Sequence, residues 1–247
     1  MSWLAARRDE ARVAVMLLTR LPAGQLRGTV PGLDAARWAF PLVGALLGGL
    51  VWVVFAGTLA LGGAPALAAL LALGALALLT GALHFDGLAD CADGLGGGRD
   101  RAHALEIMRD SRIGSYGVLA LGLVAGLWAV AVSGLGPAAG AGAFVAMASV
   151  SRAGMVALLE TLPPARPDGL GRMAGGPRPA AQVVAGLSVL AALWPLGPWP
   201  VLAMLVTVAL VGWRARARIG GQTGDVLGAA QLTSETAGWV ALALVLA

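Results

Sequence analysis

Long apolar stretches, most of them without a single charge, constrain this chain more than any other feature of its sequence. Seven such stretches run over 38–61, 65–83, 116–135, 138–162, 182–196, 198–213 and 226–247. A membrane-spanning helix needs roughly 20 predominantly apolar residues. Only 12% of the residues are charged and 58% are hydrophobic, too little charge for the surface of a soluble domain. The sequence therefore predicts an all-α, polytopic integral membrane helical bundle with about seven transmembrane helices.

The positions of the arginines give the orientation of these stretches. With the N-terminus inside, the loops after the second, fourth and sixth stretches also face inside, and they are rich in arginine. The opposite turns, near 62–64, 136–137 and 197, carry no charge. The positive-inside rule then selects a cytoplasmic N-terminus and seven spans. Joining the fifth and sixth stretches into one interrupted span would put the arginines of 214–218 on the other side, so we keep the two separate.

The N-terminal segment, residues 1–37, mixes arginines with apolar residues. We predict an amphipathic helix at the membrane interface, although a plain cytosolic helix fits equally well. It precedes the spans of a single membrane-embedded domain, residues 1–247, and it lacks the cleavage pattern of a signal peptide. The single cysteine, Cys91, excludes an intramolecular disulfide and a thiolate zinc site. The net charge of +4 does not indicate nucleic-acid binding, because the arginines lie between the spans, where membrane topology accounts for them.

Three carboxylates lie within eight residues shortly after the second stretch. Asp86, Asp90 and Asp93 stand at i, i+4 and i+7, which on a helix places them on one face. Like charges this close favour a cation between them, and oxygen-only ligands favour Mg²⁺. We therefore predict that all three bind Mg²⁺. The alternative is a structural role, because acidic residues also flank membrane spans and cap helices.

Two arginines follow this acidic cluster. Arg109 and Arg112 are three residues apart, hence on one face of a helix, and with Ser111 between them they are predicted to bind substrate. Guanidinium groups beside a metal site suit a diphosphate that bridges the metal and the arginines. The alternative is a surface network in which they pair with Asp110 and Glu106, and the spacing does not decide between the two.

A glycine-rich segment, residues 220–225, opens the last stretch. Glycines ahead of a helix N-terminus form a ready anion site. Thr223 is predicted to cap the helix and to bind substrate, with Asp225 in the first turn. Gln231 and Glu235 follow on broadly the same side of the helix and are also predicted to bind substrate.

Ionisable residues inside the predicted spans are the last candidates. Glu235 lies well within the seventh stretch and Arg152 within the fourth. Such residues are costly in a membrane, so each is a functional hypothesis, and Arg152 is predicted to bind a substrate phosphate. The alternative is a buried structural pair between the two.

Several motifs occur in a fixed order along nearly the whole chain. They are Thr19-Arg20-Leu21-Pro22, Phe40-Pro41-Leu42-Val43-Gly44, His84-Phe85-Asp86-Gly87-Leu88-Ala89-Asp90, Asp93-Gly94-Leu95-Gly96-Gly97, Glu106-Ile107-Met108-Arg109-Asp110-Ser111-Arg112-Ile113-Gly114-Ser115-Tyr116-Gly117 and Gly220-Gly221-Gln222-Thr223-Gly224-Asp225-Val226-Leu227-Gly228-Ala229. Together they resemble the cobalamin synthase family, also called adenosylcobinamide-GDP ribazoletransferases. Arg109, where the family commonly has Lys, and Ser115, where it commonly has Thr, are conservative departures.

The resemblance implies a reaction, a cofactor and a location. The family transfers the adenosylcobinamide phosphate moiety of adenosylcobinamide-GDP to α-ribazole or α-ribazole 5′-phosphate. GMP leaves, and adenosylcobalamin or its 5′-phosphate is formed in the last steps of cobalamin nucleotide-loop assembly. The resemblance further implies a Mg²⁺-dependent transferase in the bacterial cytoplasmic (inner) membrane, with its active site facing the cytoplasm.

The resemblance also suggests roles for individual residues. Asp86, Asp90 and Asp93 would hold the metal, and Asp93 and Asp225 are the predicted catalytic residues. Asp225 would be either a further metal ligand or the base that accepts the hydroxyl proton. The arginines at 109, 112 and 152 would neutralise phosphate charge.

Two other classes of membrane protein stay open at this point. One is another Mg²⁺-dependent transferase that uses diphosphates, of the prenyl or CDP-alcohol type, although the second Asp-x₃-Asp motif of prenyltransferases is absent. The other is a secondary transporter that uses acidic residues as an ion path. The sequence also leaves open a homo-oligomer or an association with other cobalamin-pathway enzymes.

Overall fold

The computed structural model describes residues 3–26, 29–174 and 176–247, and within these ranges the chain is built from helices without β-strands. Arg27, one of the arginines in the predicted N-terminal segment, lies outside the described residues. The helices are α1 (Trp3–Leu18), α2 (Leu33–Ala36), α3 (Phe40–Ala60), α4 (Pro65–Thr80), α5 (Leu83–Gly97), α6 (Arg101–Ile107), α7 (Ser115–Leu135), α8 (Ala141–Thr161), α9 (Leu170–Ala174), α10 (Pro179–Leu196), α11 (Pro198–Ile219) and α12 (Gly224–Leu246). The predicted all-α class is confirmed.

Six of these helical segments are long and apolar enough to cross a membrane. They contain α3, α7, α8, α10, α11 and α12. The remaining predicted span, residues 65–83, corresponds to α4, which passes the same test only together with α5. The prediction of a polytopic helical bundle with about seven spans is therefore confirmed, and α10 and α11 are separate helices, as predicted. The interfacial placement of α1 stays a prediction.

The axes of α4 and α5 are bent by 91° at the break between them. Gly81 and Ala82 form the break, and both have left-handed backbone conformations, with φ of 61° and 57°. Glycine is favoured at position 81 because side chains rarely adopt its positive φ, and the absence of a Cβ also leaves room for the guanidinium of Arg20. The sequence alone gave no sign of so sharp a bend. Because α5 is only 15 residues long and carries three carboxylates, we treat it as lying outside the membrane-spanning segments.

Glycines let α3 and α8 approach closely. An added Cβ at Gly44 would lie 2.2 Å from the carbonyl oxygen of Ala148, and one at Gly48 would lie 2.3 Å from that of Phe144. Lipid tails are as apolar as leucine, so close backbone packing of this kind is a main source of helix association in a membrane. The small residues at these two positions are therefore needed for the packing of this helix pair.

Glycines also allow α5 to pack closely against the start of α12. An added Cβ at Gly87 would lie 3.2 Å from Cα of Asp225, and one at Gly228 would lie 3.3 Å from Cα of His84. A Cβ at either glycine would be closer to the facing backbone than in most protein contacts, so the two helices would have to shift by a few tenths of an ångström. This contact places the acidic face of α5 beside the glycine-rich segment that opens α12.

Glycine contacts of this kind can be tested by alanine substitution. Gly48→Ala forces a methyl group onto backbone atoms of α8, and overpacking of this kind costs about 1–3 kcal/mol. Gly126→Ala in α7 is the matched control, because an added Cβ there meets no described neighbour within 4 Å outside its own helix turn. We expect thermal unfolding in detergent to show a lower midpoint for Gly48→Ala and an equal or higher one for Gly126→Ala. Equal midpoints for both variants would contradict this account of the packing.

Candidate active site

Carboxylates from two helices meet where α5 packs on α12. Asp86 and Asp225 line one cavity, and the contact at Gly87 sets the spacing of the two backbones. Burial, followed by the negative charges of Asp86, Asp225 and Asp93, raises the pKa of Asp90 to about 6. Burial is the largest cause of this rise in pKa, and the neighbouring carboxylates add to it because like charges disfavour ionisation. The group formed by Asp86, Asp90 and Asp225 is called the carboxylate cluster below.

Asp93 is turned towards the start of α7. Its Oδ2 accepts a hydrogen bond from the backbone N–H of Gly114 at 2.7 Å, and its Oδ1 accepts one from Gly117 at 2.9 Å. Within the described parts of the chain, no three Asp, Glu, His or Cys side chains are grouped so that they could hold a metal ion on their own. Neither the predicted trio of Asp86, Asp90 and Asp93 nor the carboxylate cluster is therefore a complete ligand set by itself, and both oxygens of Asp93 accept hydrogen bonds from the backbone at the start of α7. Metal binding by these residues stays a prediction.

The start of α12 has the geometry that its sequence predicts. Thr223 caps the helix, because its Oγ1 accepts a hydrogen bond from the backbone N–H of Val226 at 3.3 Å. The same hydroxyl donates to Oδ2 of Asp225 at 3.2 Å. The predicted cap and the placement of Asp225 in the first turn are both confirmed. The cap orients the Asp225 carboxylate towards the cavity that it shares with Asp86.

Arg166 is a site residue that the sequence reasoning missed. One of its guanidinium nitrogens lies 3.5 Å from Oδ2 of Asp225, and it also donates to the carbonyl oxygen of Leu105 at 3.2 Å. With Arg172 and Thr223, it lines a cleft that ends at the carboxylate cluster. The only sequence signal was the high arginine content of the loop between the fourth and fifth stretches, which spacing alone does not connect to the aspartates.

Backbone pairing holds the loop that carries Arg166. The N–H of Ala165 donates to the carbonyl oxygen of Gln222 at 2.8 Å, and the N–H of Gln222 donates to that of Pro163 at 2.9 Å. At Gly221 an added Cβ would lie 2.0 Å from the carbonyl oxygen of Pro163, so only glycine permits this approach. The glycine-rich segment therefore anchors a distant loop in addition to opening α12.

The predicted substrate-binding residues of 109–112 lie at the surface. Arg109 is paired with Asp168, with 2.7 Å between their closest atoms, and Asp168 lines the cleft of Arg166. Arg112 is paired with Asp110 at 2.6 Å, which is the surface pairing weighed as the alternative. Ser111 is exposed. The structure thus places Arg109 at the edge of the cleft and leaves Arg112 and Ser111 away from the carboxylate cluster.

A buried polar network joins α8 and α12 inside the bundle. Oε2 of Glu235 accepts hydrogen bonds from Arg152 at 2.8 Å, from Gln231 at 2.8 Å and from Ser151 at 3.0 Å. Arg152 and Gln231 have no exposed surface. Arg152 and Glu235 form the buried pair that was weighed as the alternative to substrate binding. Their role, and that of Gln231, in substrate binding stays a prediction.

The ion pair in this network should contribute strongly to stability. Arg152→Met leaves the Glu235 carboxylate buried without its cation, a change that costs about 3–5 kcal/mol. Arg112→Met, which removes an exposed pair, is the matched control and should leave the unfolding midpoint unchanged. Thermal unfolding in detergent measures both variants. A midpoint for Arg152→Met equal to that of the wild type would show that the buried pair does not stabilise the bundle.

Comparisons with known proteins agree with this architecture. A family model described as cobalamin-5-phosphate synthase matches residues 10–243. An adenosylcobinamide-GDP ribazoletransferase of Bradyrhizobium diazoefficiens is 46% identical, over 92% of this chain and 90% of the relative. A relative of the same name from Sinorhizobium medicae is 42% identical to this chain, over 96% of each of the two chains. No solved structure matches this chain significantly. Because this match covers residues 10–243, including the carboxylate cluster, the chain belongs to the cobalamin-5-phosphate synthase family.

Proposed function

We propose that this chain is an adenosylcobinamide-GDP ribazoletransferase of the bacterial inner membrane. It joins adenosylcobinamide-GDP to α-ribazole or α-ribazole 5′-phosphate and releases GMP at the cytoplasmic face. The main observation that supports this proposal is the carboxylate cluster. It forms at the glycine contact between α5 and α12, and it opens to a cleft lined by arginines. Its relatives carry the name of this enzyme, which favours ribazole transfer over prenyl transfer, CDP-alcohol transfer or transport.

The reaction is a displacement at phosphorus. A ribose hydroxyl oxygen of the acceptor forms a bond to the phosphorus on the cobinamide side, and the bond from this phosphorus to the bridging oxygen breaks. GMP leaves with that oxygen, and the hydroxyl proton passes to a base. Such transfers depend mainly on positioning and on stabilisation of phosphate charge. Asp225 is the proposed base, because Thr223 orients it and it faces the shared cavity.

Arginine and magnesium would share the neutralisation of phosphate charge. Arg166 and Arg172 line the cleft that would take the donor diphosphate, and Arg109 lies at its edge. Asp86 and Asp90 present only oxygen donors and repel one another, which fits Mg²⁺. Two or three carboxylates are too few to close its coordination shell, so water and phosphate oxygens would complete it. When bound, the ion would draw charge from the phosphates.

A turnover assay tests the proposal. Protein in lipid receives adenosylcobinamide-GDP, each acceptor in turn and Mg²⁺, and chromatography follows GMP. We expect turnover that EDTA abolishes and that Asp86→Asn reduces by about a hundredfold or more, as expected for loss of charge stabilisation at the reacting centre. Asp100→Asn is the matched control, because Asn also caps the helix that Asp100 begins. No GMP from folded wild-type protein with either acceptor would overturn the proposal.

Asp93 should behave differently from Asp86. Asp93→Asn keeps one acceptor oxygen for the start of α7, whereas Asp93→Ala leaves two backbone N–H groups without an acceptor. We expect Asp93→Ala to speed hydrogen exchange at Gly114 and Gly117 and to lower activity. We expect Asp93→Asn to keep the wild-type dependence of rate on Mg²⁺ concentration. A shift of that dependence as large as in Asp86→Asn would return Asp93 to the metal ligands.

A further inference from the structure

A second cleft meets the carboxylate cluster on the side of α1. It has a volume of about 450 Å³ and lies at the break between α4 and α5. Its lining includes Thr19, Arg20, Gly81, Leu83 and Asp86. The cleft of Arg166 reaches the cluster at Asp225, whereas this one reaches it at Asp86. The two clefts therefore approach the cluster from different helices.

Arg20 is the basic residue that lines this second cleft, and hydrogen bonds of the neighbouring backbone hold its main chain in place. Its N–H donates to the carbonyl oxygen of Leu79 at 2.7 Å, and its guanidinium lies over Gly81. Thr19 holds the turn, because its Oγ1 accepts a hydrogen bond from the N–H of Leu21 at 3.1 Å. Among the residues that the structure describes, the guanidinium of Arg20 has no carboxylate within ion-pairing distance. A guanidinium that faces a polar cleft and has no carboxylate partner favours an anionic ligand.

The start of α5 borders the same cleft. Ala82 precedes this helix, and no side chain caps it. The first N–H groups of a helix have no acceptor within the helix and attract anions. Leu83, the first residue of α5, lines the cleft together with Arg20. A phosphate group there would meet both a guanidinium and the positive end of a 15-residue helix.

An apolar cavity adjoins this cleft. The two share Leu17, Leu83 and Asp86. Further lining comes from Leu18, Phe40, Met155, Leu159 and His84. His84 is only 2% exposed, and its Nε2 has no hydrogen-bond partner among the described residues. A buried polar atom without a partner is costly, so this cavity suits an apolar ring that carries a polar nitrogen.

We propose that the cavity and the cleft together form the site for the acceptor of the transfer, a nucleoside 5′-phosphate with an apolar heteroaromatic base. The base lies in the cavity and meets His84 Nε2. The ribose lies beside Asp86, and the 5′-phosphate binds Arg20 and the start of α5. This assignment rests on the proposed function. It also fits the reaction, since the attacking and leaving oxygens of a displacement at phosphorus lie on opposite sides and the donor diphosphate has its own cleft.

The proposal predicts that substitution of Arg20 affects the KM for the phosphorylated acceptor more than the KM for the acceptor without phosphate. With saturating donor and Mg²⁺, Arg20→Gln should raise the KM for α-ribazole 5′-phosphate by about tenfold or more. This is the loss of affinity expected when a charge-assisted hydrogen bond is removed. The KM for α-ribazole, which lacks the phosphate, should change by less than about twofold. Arg20→Lys, which keeps the charge, should lie between Arg20→Gln and the wild type. Arg8→Gln, at an exposed arginine of α1, the helix that ends shortly before Arg20, is the matched control.

The outcomes are distinguishable. An equal rise of KM for both acceptors in Arg20→Gln would show a structural role, and no rise for either would show that the phosphate binds elsewhere; each result overturns the proposal. Calorimetric binding of α-ribazole 5′-phosphate to folded wild type, Arg20→Gln and Arg20→Lys tests the site without turnover. A tenfold loss of affinity in Arg20→Gln, with a smaller loss in Arg20→Lys, would support the site even if the wild type released no GMP, and equal affinities in all three proteins would refute it.

Discussion

The contact between Gly87 of α5 and Gly228 of α12 is the constraint on which the site depends. It brings carboxylates from two helices to one cavity, although like charges repel. The contact relies on close packing of the two backbones, which glycine allows at both positions. The electrostatic repulsion within the carboxylate cluster opposes this packing. A bound cation and a phosphate-bearing substrate would relieve it, which links the stability of the contact to the reaction.

Three further interactions hold the frame around this contact. The pair of Arg152 and Glu235 ties α8 to α12, and Asp93 ties α5 to the start of α7. Gln222 pairs with the loop that carries Arg166. None of these groups needs to touch substrate in order to matter, because each fixes an element that presents a charged side chain to the site. Rigid placement of charge is the main means by which a protein accelerates phosphate transfer.

Local rules predicted much of this from the sequence. Apolar length located the spans, a Thr before an apolar helix located the cap at Thr223, and the cost of charge in a membrane located the pair of Arg152 and Glu235. The direction in which a side chain turns was not predictable in this way. Asp93 shares a helical face with Asp86 by spacing, yet its oxygens bind the backbone of α7, which is distant in sequence. Arg166 lies on a loop whose path depends on tertiary contacts. Sequence periodicity therefore could not predict that Arg166 lies beside the cluster.

The bend between α4 and α5 explains how a chain this apolar can hold a charged site. If α4 continued straight, the carboxylates of α5 would extend along the same axis, where an ionised group in lipid is costly. The bend of 91° turns α5 across the bundle and against α12 instead. The same bend leaves the first N–H groups of α5 uncapped and places Arg20 over Gly81. One backbone break, made by two residues with positive φ, therefore creates both the placement of the carboxylates and the cationic cleft beside them.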